Sequence, residues 1–176
     1  LFAFLLVLAT GAGAGMAAAF DGIGFEYGDG DDGVERYGLV LQRDWQRRWF
    51  AEGDWYLGGY WELSASYWDG RRGRTGNGSL GAFGVTPVFR LQPHAAAGLR
   101  PFVEAGVGGH VLTETGLGDK DFSILWQFGS HVGAGVRFGA RGRFELLYRF
   151  QHLSNASLGD SNPGVNFHAL RLGWRF

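Results

Sequence analysis

Eight stretches of this chain alternate apolar and polar residues with a period of two. They cover residues 22–28, 35–45, 55–68, 79–91, 101–112, 125–138, 143–154 and 166–176. That period is the mark of a strand with one apolar face, and the Gly, Asp, Asn and Pro clusters between the stretches predict turns. In the third stretch Trp55, Leu57, Trp61, Leu63 and Tyr67 oppose Glu62, Ser64 and Ser66. In the fourth, Phe83, Val85, Phe89 and Leu91 oppose Thr86 and Arg90, and in the fifth Val103, Ala105 and Val107 oppose Glu104. In the sixth, Trp126, Phe128, Val132, Val136 and Phe138 oppose Gln127, His131 and Arg137. In the seventh, Phe144, Leu146, Tyr148 and Phe150 oppose Glu145, Arg149 and Gln151. In the eighth, Leu170, Leu172, Trp174 and Phe176 oppose Arg171, Gly173 and Arg175.

One face is thus aromatic and the other carries charges of both signs. Eight such strands in succession predict an all-β fold: an eight-stranded antiparallel transmembrane β-barrel of the outer-membrane type, apolar outside and polar inside. A closed barrel leaves no open strand edge in lipid. The alternative is a soluble β-sandwich or lipocalin-like barrel, with the charged face in water. Eight strands enclose only enough room for side chains. The inward Glu and Arg residues therefore predict a paired plug and not a pore. Inward glycines such as Gly106, Gly133, Gly135 and Gly173 relieve crowding there.

Composition narrows this further. The chain has 32 glycines, 16% aromatic residues and a mean hydropathy of only −0.08. A helical membrane protein is far more apolar. A net charge of −1 exerts no general pull on nucleic acid, and the lack of cysteine excludes disulfides and thiol chemistry. The opening LFAFLLVLATGAGAGMAAAF runs from an apolar core to small residues. It reads as a signal peptide over 1–19, entered after its start, with a single barrel domain over 20–176. Its apolar run is too short for a membrane helix, which needs roughly 20 residues. For an exported chain the termini lie in the periplasm, and the longer loops near 29–34, 69–78, 113–123 and 155–165 lie outside.

Candidate chemistry sits at the outer end of the seventh strand, in YRFQHLSNASLGDSNPGVNF. Counting by twos from Phe144 to Phe150 places His152 and Ser154 on the same lipid-facing side. Counting back from Phe176 in the eighth strand places His168 and Asn166 there too. A hydroxyl, an imidazole and a polar orienter are the parts of acyl-transfer chemistry. Taken by spacing alone, the same residues also read as polar side chains where a strand leaves the hydrocarbon. His131 reads as an interior polar residue and His168 as an interfacial one with a supporting role.

The HLSNA motif, followed by NPG and a closing strand, resembles the lipid A 3-O-deacylase (PagL) family. LQRDWQRRWF, GYWELSASYWDG, VTPVFRLQP, RPFVEAGVG and VGAGVRF extend the resemblance over nearly the whole mature chain. It implies an outer-membrane carboxylic ester hydrolase that removes the acyl chain at position 3 of lipid A, its lipopolysaccharide substrate in the outer leaflet. Ser154 is then the nucleophile and His152 the base. Asn162 and the backbone N–H near Ser157 match the oxyanion hole, and Asn155 supports the site. The resemblance also hints at a homodimer. The family's triad ends in a glutamate, where this chain has Asn166. An Asn carbonyl can orient the histidine ring but supplies no charge, and an amide turned the other way would favour the wrong tautomer. Asp160 in the loop is a second contender; Glu145 faces inward. No cofactor or metal is required. Asp29, Asp31 and Asp32 read as a solvated loop or a divalent-ion site. Arg71, Arg72 and Arg74 read as a solvated loop or as contacts to lipid A phosphates. The competing functions are a non-catalytic outer-membrane scaffold or adhesin, and a lipid A acyltransferase.

Overall fold

A computed structural model describes residues 19–94 and 98–176. The signal-peptide reading covers 1–19, of which residues 1–18 lie outside the described residues. Eight long strands form a closed antiparallel barrel: β1 (Gly22–Gly30), β2 (Glu35–Asp44), β3 (Trp55–Asp69), β4 (Ser79–Pro93), β5 (Arg100–Leu112), β8 (Trp126–Phe138), β9 (Phe144–Ser154) and β10 (Val165–Arg175). Two short strands, β6 (Gly116–Leu117) and β7 (Lys120–Asp121), make a small hairpin within the β5–β8 connection, where the sequence predicted plain loop. Each long strand pairs with its sequence neighbours, and β1 closes the wall against β10. That closure leaves none of the eight long strands at an open edge of the sheet.

The alternation predicts which way each side chain points. Phe25, Tyr37, Leu39, Trp61, Phe83, Val85, Val107, Val132, Leu146, Leu170 and Leu172 are exposed on the outer wall. Among the described residues the buried charged side chains are four Glu and four Arg: Glu26, Glu62, Glu104, Glu145, Arg36, Arg90, Arg149 and Arg171. The signs balance, and the partners interlock. Arg149 bridges Glu62 (2.8 Å) and Glu104 (2.8 Å), while Arg171 bridges Glu62 (2.9 Å) and Glu26 (2.9 Å). Arg90 joins Glu104 at 2.6 Å and stacks 3.9 Å from the centre of the Phe102 ring. The predicted plug is present, with Glu26, Arg36 and Tyr60 as members that the sequence reading did not name.

Near the longer loops the interior changes character. Val34, Trp68, Leu80, Ala82, Leu112, Leu117, Phe122, Leu153, Val165 and Phe167 form an apolar cluster. Leu117 comes from the β6–β7 hairpin and Phe122 from just beyond it. The hairpin thus folds into the barrel mouth and ties the β5–β8 connection to the start of β10. Arg36 lies 4.4 Å from the Phe167 ring, where the polar plug meets this apolar cap.

Candidate active site

β9 and β10 pair in the register Asn166↔His152, and β8 pairs with β9 as Ser130↔His152 and Phe128↔Ser154. His152, Ser154 and Asn166 therefore share the outer wall, as the parity predicts. All three are half-buried, unlike the freely exposed Tyr148 and Leu170 one or two pleats away. His152 Nδ1 lies 2.7 Å from Asn166 Oδ1. An amide oxygen is only an acceptor, so this contact requires the proton on Nδ1 and leaves Nε2 unprotonated in the neutral ring.

The amide could in principle be turned the other way. Its other end decides. Asn166 Nδ2 donates to Asp31 Oδ2 at 2.7 Å, and the Asn166 backbone N–H donates to the same oxygen at 3.0 Å. A carboxylate oxygen accepts only, so the NH₂ group must face Asp31 and the carbonyl must face His152. Asp160 is exposed in the β9–β10 loop, and it is Asn166 that holds Nδ1.

Beyond Ser154 the chain turns sharply. Asn155 is fully buried and works as the pin of the loop. Its Nδ2 donates to the carbonyls of Phe122 (2.9 Å) and Ser161 (2.7 Å), and its Oδ1 accepts the Ser157 N–H at 2.9 Å. Its own N–H donates to Asn162 Oδ1 at 2.9 Å, which turns the Asn162 amide so that Nδ2 is the end directed away from that contact. Ala156 and Ser157 both have positive φ, 53° and 63°. The Ser157 N–H, matched above to the oxyanion hole, is already committed to Asn155. Gly164, with φ 61°, lies against the histidine: a Cβ there would sit 3.0 Å from His152 Cε1.

Residues 35–175 match the family described as Lipid A 3-O-deacylase (PagL). The chain belongs to that family. It is 34% identical over 134 residues to the lipid A deacylase PagL of Pseudomonas aeruginosa, covering 76% of this chain and 74% of that protein. It is 32% identical over 164 residues to the lipid A deacylase PagL of Bordetella bronchiseptica, covering 88% and 83%. The crystal structure of the outer membrane enzyme PagL superposes with a TM-score of 0.78 at 28% identity, covering 88% of this chain and 99% of that one. As a member of this family, the protein is an outer-membrane barrel.

The other predicted positions separate. Arg71, Arg72 and Arg74 lie exposed on the β3–β4 loop, and β4 is three strands from β9 around the barrel. Arg74 is tied to Asp119 of the β6–β7 turn through its backbone N–H (2.8 Å) and its guanidinium. The acidic run also divides: Asp31 goes to Asn166, and Asp32 pairs with Lys120 at 2.9 Å. His168 bonds Tyr148 Oη at 2.6 Å and contacts the Phe150 ring, so its partners are aromatic neighbours and not His152. His131 lies buried inside.

Three features escaped the sequence reading. Asp31 is one. Ser130 is another, an exposed hydroxyl-bearing residue beside His152 on the lipid face. The third is a shallow groove of about 570 Å³ on the outer wall, lined by Pro87, Phe89, Ala105, Val107, Ser130, Val132, Phe150 and His152. Small residues on β5 and β8 make it, between bulkier Phe89 and Phe150. Pro87, which has no N–H, underlies one end, where the pairing of β4 with β5 is interrupted at 86–87. Alternation marks these positions as outward, but only the order of strands around the barrel brings them together.

Proposed function

We propose that this protein hydrolyses the ester-linked acyl chain at position 3 of lipid A, with Ser154 as nucleophile, His152 as general base and Asn166 as the residue that orients it. The observation that carries this reading is the 2.7 Å contact between His152 Nδ1 and Asn166 Oδ1, on the lipid-facing wall that also bears Ser154. Family membership supplies the substrate class. The site lies at the end of the barrel that bears the β1–β2, β3–β4, β5–β8 and β9–β10 loops, read as the cell exterior, where lipid A resides.

The steps follow from the tautomer. With Nδ1–H held by Asn166, His152 Nε2 takes the Ser154 proton as Oγ attacks the ester carbonyl. Nε2 then returns that proton to the departing 3-oxygen of the sugar, and the acyl-enzyme remains. Water attacks the acyl-enzyme, gives a proton to Nε2, and the proton passes back to Ser154 Oγ as the fatty acid leaves. Asn162 Nδ2 donates to the oxyanion in both tetrahedral intermediates. Asn155 supports the site by fixing both Asn162 and the turn after Ser154. The groove leading from His152 offers the acyl chain a path along the outer wall, in contact with bilayer and protein at once.

Mass spectrometry of lipid A incubated with the purified barrel tests this. The wild type is expected to remove one 3-hydroxyacyl chain, and Ser154→Ala to remove none. An unchanged lipid A mass with the wild type would refute the deacylase reading. A mass gain in the presence of phospholipid would instead favour acyl transfer.

A further inference from the structure

We propose that Asp31 is a positioning residue for this site: it holds the Asn166 amide in the one orientation that keeps His152 in its working tautomer, and it returns a carboxylate to a triad whose third member is neutral. The inference rests on the deacylase reading for its activity arm and on geometry for its structural arm.

Asp31 lies 135 residues before Asn166, and the barrel closure brings them together. β1 pairs with β10 up to Gly30↔Phe167, so the next residue, Asp31 of the β1–β2 turn, falls opposite Asn166. The turn itself is anchored. Gly30 N–H bonds Val34 O at 2.7 Å, Val34 is buried in the apolar cap, and Asp32 pairs with Lys120 at 2.9 Å. Asp31 therefore presents its carboxylate from a fixed turn. A single oxygen, Oδ2, accepts both the side-chain NH₂ and the backbone N–H of Asn166.

The chain of contacts is then directional, from the Asp31 carboxylate through the Asn166 amide to the His152 imidazole, and the proposed mechanism extends it from Nε2 to Ser154. Asp31 and Asn166 constrain the ring because a carboxylate and an amide oxygen only accept and an amide NH₂ only donates. Without Asp31, the Asn166 amide has no fixed preference between its two ends. With its NH₂ toward Nδ1, the proton would move to Nε2, the nitrogen that must accept from Ser154. In a serine-protease triad the wrong tautomer costs about 10⁴-fold in kcat. The expected loss here is smaller, about 10- to 100-fold, because an unanchored amide still samples the working orientation. The carboxylate's charge also stabilises the imidazolium at second hand, weakly at an exposed position and more once lipid substrate excludes water.

The test exchanges the two groups. In detergent micelles with lipid A, initial rates are measured for the wild type, Ser154→Ala, Asp31→Ala, Asn166→Asp and the double variant Asp31→Asn/Asn166→Asp. Unheated mobility on SDS gels confirms a folded barrel in each. Asp31→Ala is expected to lower kcat 10- to 100-fold with little change in KM. Asn166→Asp alone sets two carboxylates against each other where a 2.7 Å hydrogen bond stood, and is expected to be impaired. The double variant restores complementarity, with the acid now touching His152, and is expected to recover to within about tenfold of wild type. ¹⁵N NMR of the His152 ring nitrogens, assigned with His152→Gln, is expected to show the Nδ1–H form in the wild type and a mixture in Asp31→Ala. Wild-type kcat and an unchanged ring spectrum in Asp31→Ala would overturn the proposal, as would a double variant no better than Asn166→Asp alone. If the wild type releases no acyl chain, the deacylase reading fails separately. The ring spectrum still decides the role of Asp31: loss of the Nδ1–H form in Asp31→Ala supports it, and retention overturns it.

Discussion

Gly164 holds a single-residue test of how tightly His152 must be placed. Its φ of 61° lies in the left-handed region, and its missing side chain lets the His152 ring approach. Gly164→Ala adds a methyl group 3.0 Å from Cε1. It also places an L side chain in a backbone conformation that costs about 1–2 kcal/mol. The expected outcome is a several-fold fall in kcat, with an intact barrel by unheated gel mobility and little change in KM. At this scale much of the site was legible. Parity by itself places His152, Ser154 and Asn166 on one wall. The direction in which the Asn166 amide points was not legible, because an amide's two ends are set by its partners. The commitment of the Ser157 N–H to Asn155 was hidden for the same reason.

At the scale of elements, β9 and β10 carry the proposed reactive groups, while β8, β5 and β4 carry the far side of the groove. Small side chains at Ala105 and Ser130 keep that groove open. Ala105→Trp is expected to fill it and raise KM for long-chain lipid A by about tenfold, with short-chain esters hydrolysed near the wild-type rate. The measurement is the ratio of kcat/KM for long and short acyl esters, and an unchanged ratio would remove the groove from the substrate path. The eight long strands were legible in the alternation, to within two residues at most ends. The β6–β7 hairpin was not, since strands of two residues carry no period. Nor was the apolar cap. Trp68, Leu153 and Phe167 fall on the inward, nominally polar parity and find apolar partners only once the hairpin inserts above them.

Across the whole molecule, the buried ion pairs and the proposed site occupy different surfaces of the same wall. The four Arg and four Glu inside are mutually paired, whereas His152, Ser154 and Asn166 face out. Arg149 is the hub, with Glu62 on one side and Glu104 on the other. Arg149→Met leaves both carboxylates short of a partner. Breaking a buried pair in this way costs about 3–5 kcal/mol. The expected readout is a lower midpoint in urea unfolding, while the kcat of the folded fraction stays close to wild type. A large fall in kcat without loss of stability would show that the plug reaches the site.

The sequence by itself determined the inside and outside of this barrel, its strand number and the wall on which His152 and Ser154 stand, because side-chain direction in a strand is a local property of period two. Tertiary structure alone decided what those residues touch. Register brought Asn166 to His152, and closure brought Asp31, from the first turn, to Asn166. A hydrogen bond between residues 135 positions apart leaves no trace in local spacing. It exists because a closed barrel must seat its first strand beside its last.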